Sequence, residues 1–210
     1  MTVRVKVCGI RRYEDARLAV ELGAAAVGFV FWPASPRAIG VEQARVIADT
    51  LPAFVARIGV FVNQPQDEVL TTASRAGLTG IQLHGDEDAS TYTGCSLPVI
   101  KALPVGKGFS MAALNGVPAA MTVLLDTHDP VRRGGTGRTI EWTVAAAAAR
   151  VRPVVLSGGL TTSNVDAAVR EVRPYAVDVS SGVESAPGVK DETKLRAFFA
   201  AFHSAVVTLP

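Results

Sequence analysis

The sequence predicts an α/β fold: one (β/α)8 TIM barrel, with a parallel eight-stranded sheet closed inside an outer ring of helices. Three observations predict it. Short β-branched runs alternate with amphipathic or alanine-rich stretches along the whole chain, the pattern of a parallel sheet with crossover helices. Eight such pairs fit into 210 residues, about 26 residues each, which favours closure over an open doubly wound sheet. Two late runs also stop in clusters of serine and glycine. Val154-Val155-Leu156 ends in Ser157-Gly158-Gly159-Leu160, and Ala176-Val177-Asp178-Val179 ends in Ser180-Ser181-Gly182-Val183. Small residues let the backbone approach a ligand closely, and free amides at a helix start favour an anion. Such a pair after strands 7 and 8 is where these barrels hold phosphate.

The elements follow in order. Strands are expected at 3–7, 26–30, 56–61, 80–83, 98–102, 121–125, 153–156 and 175–179, each a short run rich in Val, Ile or Leu. Helices are expected between them at 13–22, 41–50, 66–76, 86–92, 140–151, 162–172 and 191–204, where apolar residues recur at helical spacing behind plausible starts. Asp191 and Glu192 place negative charge at the start of the last helix, as the macrodipole favours. A helix after strand 5, near 109–114, is the weakest, because Gly106, Gly108 and Gly116 crowd it.

Composition narrows the function. Hydrophobic residues make up 49% of the chain and aromatics 6%, with Ala and Val dominant, as in parallel sheets covered on both faces. The length suits one core, and no linker is visible, so residues 1–210 read as a single catalytic domain. A net charge of +2 gives no basic field for nucleic acid or an anionic membrane. Arg4 and Lys6 interrupt the first apolar run, so no secretory signal is expected there, and the alanine tract 144–149 is too short to span a bilayer. Cys8 and Cys95 offer neither disulfide framework nor metal spacing, which suits a reducing, cytoplasmic location.

In a barrel of this kind the reactive groups gather at the C-terminal strand ends. Those positions hold Cys8-Gly9, the stretch from Trp32 to Arg37, Asn63, His84-Gly85, Lys101, Asp126 and the two glycine clusters. A thiol, a carboxylate, a guanidinium and an imidazole thus converge on one face, without a metal-ligand set.

These same positions carry a resemblance. Lys6-Val7-Cys8-Gly9-Ile10, Gly28-Phe29-Val30-Phe31 with Ser35-Pro36-Arg37, Gly59-Val60-Phe61-Val62-Asn63 and Gln82-Leu83-His84-Gly85-Asp86-Glu87 resemble the phosphoribosylanthranilate isomerases. Leu124-Leu125-Asp126, Gly134-Gly135-Thr136-Gly137, the two Ser-Gly clusters with Glu184, and Pro187-Gly188-Val189-Lys190-Asp191 are similar to that family too. The match runs in order through the chain; Ile140-Glu141 before Trp142 is a small departure from the family's Phe-Asp or Phe-Asn.

The resemblance implies an Amadori rearrangement of N-(5-phosphoribosyl)anthranilate to 1-(2-carboxyphenylamino)-1-deoxyribulose 5-phosphate, with no cofactor. It implies Cys8 as general base and Asp126 as general acid. Arg37 would hold the anthranilate carboxylate, with His84 and Asp178 as further substrate contacts. Gly158, Gly159, Ser180, Ser181 and Gly182 would hold the phosphate. Taken alone, Cys8 would read as a buried structural cysteine; as a base it needs a cation such as Lys6 or Arg37, or backbone amides, to favour its thiolate. Asp126 must keep its proton near neutral pH, which calls for burial or a neighbouring carboxylate. Gly134-Gly135-Thr136-Gly137, with Arg132 and Arg133 at its base, reads as a loop closing over the substrate. His128, His203 and Cys95 read as residues without a role. The partner is a phosphorylated small molecule, the protein itself a monomer or homodimer.

The alternatives are a related sugar-phosphate isomerase or epimerase, an indole-glycerol-phosphate synthase, and a phosphate-binding regulatory barrel. A synthase needs a lysine acid and a longer N-terminal extension, a histidine-pathway isomerase an aspartate where Cys8 stands, and a metal-dependent epimerase paired histidines. A regulatory barrel would have lost Cys8 or Asp126.

Overall fold

Successive side chains of a strand face opposite ways, and this alternation builds the two layers of the molecule. In β1 (Arg4–Cys8), Val5 and Val7 pack outward under the helices, while Lys6 and Cys8 turn into the barrel. The computed structural model describes residues 3–106, 109–127 and 142–207. The strands that follow are β2 (Ala26–Val30), β3 (Ala56–Phe61), β4 (Gly80–Leu83), β5 (Val99–Val105), β6 (Thr122–Thr127), β7 (Val154–Leu156) and β8 (Ala176–Val179). They close in chain order, all parallel, and β8 returns to pair with β1. The expected closed barrel is the fold.

The outer ring comprises α1 (Tyr13–Glu21), α2 (Val41–Asp49), α3 (Gln66–Arg75), α4 (Trp142–Val151), α5 (Val165–Val172) and α6 (Glu192–Val207). Their inward stripes follow helical periodicity: Val165, Ala168, Val169 and Val172 on α5, and Leu195, Phe198, Phe199, Phe202 and Ala205 on α6, are all buried. Burying each of the Val, Leu and Phe side chains among them contributes about 1.5–3 kcal/mol. None of the described helices is long and apolar enough to cross a membrane.

Three expected helices differ and one unexpected hairpin is added, for local reasons. Residues 86–92 form only a short 3-10 turn, Ala89–Tyr92, capped by the Asp88 carboxylate on the Ser90 amide. Just before it, Glu87 accepts from the amides of Asn63 and Gly85, so side-chain bonds compete with a helix. The crowded stretch after β5 is likewise a 3-10 turn, Met111–Gly116. α5 starts at Val165, three residues late, because Asn164 bonds the Thr161 amide and the Gly159 carbonyl in the preceding loop. After the second Ser-Gly cluster, a 3-10 turn (Ser181–Val183) leads into a hairpin of β9 (Glu184–Ala186) and β10 (Val189–Lys190). Strands of two and three residues leave no periodicity to read. The expected start of α4 at residues 140–141 lies outside the described residues.

Inside the barrel, Ala102, Leu124, Val155 and Ala176 pack as an apolar plug with Ile100. Lys6 and Asp178 lie opposite each other in the β1–β8 register. Cys8, Val30 and Val60 form the layer at the mouth.

Candidate active site

The C-terminal mouth of the barrel is a cavity lined by Cys8, Arg37, His84, Asp126, Asp178 and Ser180, among others. Each arrives from a different loop or strand end. Cys8 closes β1, Asp126 stands one residue before the end of β6, and Asp178 sits within β8. His84 continues β4, its amide bonded to the Phe61 carbonyl of β3 at 2.8 Å. Thus the residues assigned to acid, base and carboxylate recognition are brought together, with Ser180 of the second cluster beside them.

Around the thiol the site is buried and charged. Lys6 Nζ donates to Asp178 Oδ1 at 3.0 Å, with side-chain exposures of 4% and 5%. Burial works against the Lys6 ammonium, but attraction by Asp178 and Cys8 outweighs it and raises its pKa. Burial pushes the Cys8 thiol up; the pull of Lys6 toward the thiolate opposes this without cancelling it. Burial raises Asp178 as well. Gly28, the β2 partner of Cys8, makes room: a Cβ there would stand 2.8 Å from Cys8 Sγ and 3.2 Å from Lys6 Cε. The sequence anticipated a cation beside Cys8, and Lys6 exerts the largest such pull.

Asp126 is buried and three strands round the barrel from Cys8. Its Oδ2 lies 3.2 Å from His84 Nε2, and His84 Nδ1 lies 2.8 Å from Gln82 Nε2. The negative field of Asp126 reaches Asp178. Nothing in the sequence sets Gln82 apart except its place on β4 two residues before His84, which puts both side chains on one face of the strand.

Arg37 is held differently from the expectation. Its Nε donates to Glu184 Oε1 at 2.9 Å and its Nη2 to Glu184 Oε2 at 2.7 Å. The guanidinium fork that was assigned to anthranilate thus faces Glu184 on β9. Lys190 of β10, its side chain fully buried, donates to Glu184 Oε1 at 2.9 Å and to the carbonyls of Cys8 at 2.6 Å and Ser180 at 3.2 Å. Burial opposes the Glu184 carboxylate, yet Arg37 and Lys190 prevail and hold its pKa below the ordinary value. Burial depresses the Lys190 ammonium, and Glu184 only partly restores it. This Arg37–Glu184–Lys190 cluster ties the hairpin to the tip of β1. Sequence reading missed it because two of its members belong to the hairpin.

The glycine clusters have the backbone a close approach requires. Gly158 and Gly159 have φ of 84° and 68°, a region that side chains rarely adopt. A Cβ on Gly182 would overlap the Leu160 carbonyl oxygen, so the two clusters press against one another. Neither opens directly into a long helix: α5 begins at Val165, and Ser181–Val183 is a 3-10 turn.

Other candidates lie apart. Cys95 is partly exposed and lines a separate groove with Tyr92 and Pro98. His203 is exposed on α6 beside Phe199 and Phe202. A larger depression of about 840 Å³ by Met111 and Asn115 sits among the loops leading into β6 and β7, where Arg152 donates to four backbone carbonyls; it contains no acid–base pair. Among the described residues no group of His, Cys, Asp and Glu could hold a metal. His128, Arg132, Arg133 and the stretch Gly134-Gly135-Thr136-Gly137 lie outside the described residues.

Comparison with known proteins agrees with this architecture. The family described as N-(5'phosphoribosyl)anthranilate (PRA) isomerase matches residues 5–201. The chain is 49% identical over 196 residues to the N-(5'-phosphoribosyl)anthranilate isomerase of Pelobacter propionicus, covering 93% of each. It is similar to the crystal structure of phosphoribosyl anthranilate isomerase from Thermus thermophilus (TM-score 0.88, 45% identity, 96% and 99% covered). It is similar also to a phosphoribosyl anthranilate isomerase in complex with reduced 1-(o-carboxyphenylamino)-1-deoxyribulose 5-phosphate (TM-score 0.85, 42% identity, 97% and 100% covered).

Proposed function

The chain belongs to the N-(5'-phosphoribosyl)anthranilate isomerase family, and we propose that Cys8 and Asp126 are the base and acid of its reaction, within one catalytic domain. The protein is an isomerase of tryptophan biosynthesis that catalyses the Amadori rearrangement of N-(5-phosphoribosyl)anthranilate to 1-(2-carboxyphenylamino)-1-deoxyribulose 5-phosphate. One observation supports the assignment most: a buried thiol and a buried carboxyl reach the same cavity from β1 and β6.

Asp126 gives its proton to the ribose ring oxygen as the bond from that oxygen to C1′ breaks. The nitrogen lone pair forms the C1′=N bond of an iminium. The Cys8 thiolate then removes the C2′ proton, and the electron pair of that C–H bond becomes C1′=C2′ while nitrogen recovers its lone pair. The enol tautomerises to the ketone. Hydrogen only moves within the molecule and its two proton carriers, so the chemistry asks for no external oxidant.

Lys6 is the cation that favours the thiolate, and Asp178 orients it. Arg37, fixed by Glu184 through Nε and Nη2, meets the anthranilate carboxylate with Nη1. The amides about Gly158, Gly159, Ser180, Ser181 and Gly182 take the phosphate, whose close approach the positive φ angles permit. The regulatory-barrel alternative finds no support in a site that retains both proton carriers.

Asp126→Asn tests the acid directly. The amide keeps the shape but has no proton to give, so turnover followed by the fluorescence of freshly made phosphoribosylanthranilate should fall about 10²–10⁴-fold. Full activity of this variant would remove Asp126 from the mechanism.

A further inference from the structure

We propose that Gln82 is a positioning residue for the acid step: its amide fixes His84 as the Nε2–H tautomer, which presents a donor to the carboxylate that forms on Asp126. The inference rests on Asp126 being the acid. Its geometric part stands on three facts. Gln82 Nε2 lies 2.8 Å from His84 Nδ1. An amide nitrogen only donates, so Nδ1 accepts and carries no proton. The ring proton of the neutral imidazole is then on Nε2, 3.2 Å from Asp126 Oδ2.

Gln82 is placed to impose this choice. It is 1% exposed, in the middle of β4, paired with Val60 on β3 and Ile100 on β5. Its Oε1 is buried without a partner among the described residues, so the bond to His84 Nδ1 is the one described hydrogen bond of its side chain. Exchanging the amide's oxygen and nitrogen would put an acceptor on Nδ1, move the ring proton there, and turn a lone pair toward Asp126.

The chemistry gives the orientation its use. As Asp126 protonates the ring oxygen, negative charge appears in a buried site, and a donor already aimed at that charge needs no reorganisation. Among the described residues, the other charged groups near Asp126 are engaged otherwise. Asp178, on β8, is a like charge whose partner Lys6 on β1 is bonded to it. Cys8, also on β1, is the base itself. Lys101 of β5 donates to the Gly85 carbonyl and to Glu87. The described donor on the β4 side is His84.

Ring 15N spectra of the wild type, assigned with a His84→Asn variant, read the tautomer without turnover. The expected result is a protonated Nε2 and an unprotonated Nδ1; the reverse would overturn the proposal even if Asp126 is the acid. Gln82→Met fills the same space without a donor. It should lose the tautomer preference and lower kcat about tenfold, with KM within about twofold, since one aimed donor typically supplies that much or more. In a His84→Asn background the same change should cost nothing further. Wild-type kcat for Gln82→Met, or an equal loss in both backgrounds, would also overturn it. An active Asp126→Asn enzyme with the Nε2–H tautomer intact would remove the acid assignment and leave the geometry.

Discussion

Lys6 and Asp178 face one another across the β1–β8 seam, 3.0 Å apart and almost fully buried, two residues below the Cys8 thiol. The pair sets the electrostatics of the base. Lys6 draws Cys8 toward its thiolate, while burial and the Asp178 carboxylate oppose it, and the balance leaves the thiol above its ordinary pKa.

The pH dependence of Cys8 alkylation by iodoacetamide in the free enzyme follows from that balance. Its midpoint should lie above the ordinary thiol value of about 8.5. Lys6→Met removes the cation that lowers it, so the midpoint should move higher still. That variant also leaves Asp178 buried without its partner, and it should lose about 3–5 kcal/mol in urea unfolding. A midpoint that falls in Lys6→Met would mean that Lys6 does not act on the thiol.

Arg37→Lys should raise KM about tenfold or more while changing kcat little, because a carboxylate bonded to a charged donor is worth about 1.5–3 kcal/mol. An ammonium cannot span Glu184 and the substrate together as the planar guanidinium does. Binding of inorganic phosphate, measured by calorimetry, should change less than KM. Equal losses for both ligands would place Arg37 at the phosphate or in the fold.

Gly159→Val introduces a β-branched side chain at φ 68° and blocks the approach to the loop. Affinity for the reduced product analogue should fall steeply, and affinity for free anthranilate should hold within a few-fold. If both ligands bind as in the wild type, the phosphate lies elsewhere.

The barrel was legible because its signal is distributed: eight β-branched runs with helical stretches between them survive local errors. What escaped was local. Glu87 and Asn164 divert backbone amides into side-chain bonds, shortening or delaying helices that composition alone would allow. The hairpin of Glu184–Ala186 and Val189–Lys190 is too short for alternation to register. In the site, strand-end position was enough to nominate Cys8, Arg37, His84 and Asp126, since a barrel brings those positions to one mouth. Gln82, Glu184 and Lys190 were not nominated, because each acts through another side chain, and such pairing depends on register and loop path. Arg37 shows the same limit, since only the structure reveals Glu184 on its fork.

The base assignment of Cys8 is the central claim, and Cys8→Ala tests it most directly. Turnover of phosphoribosylanthranilate and the dissociation constant of the reduced product analogue should be measured on the same preparation. The account predicts a kcat lower by about 10²–10⁴, with the analogue bound within a few-fold of wild type, because loss of a general base removes transition-state rather than ground-state stabilisation. A variant that keeps most of its kcat, or that loses analogue binding in proportion to turnover, would contradict it.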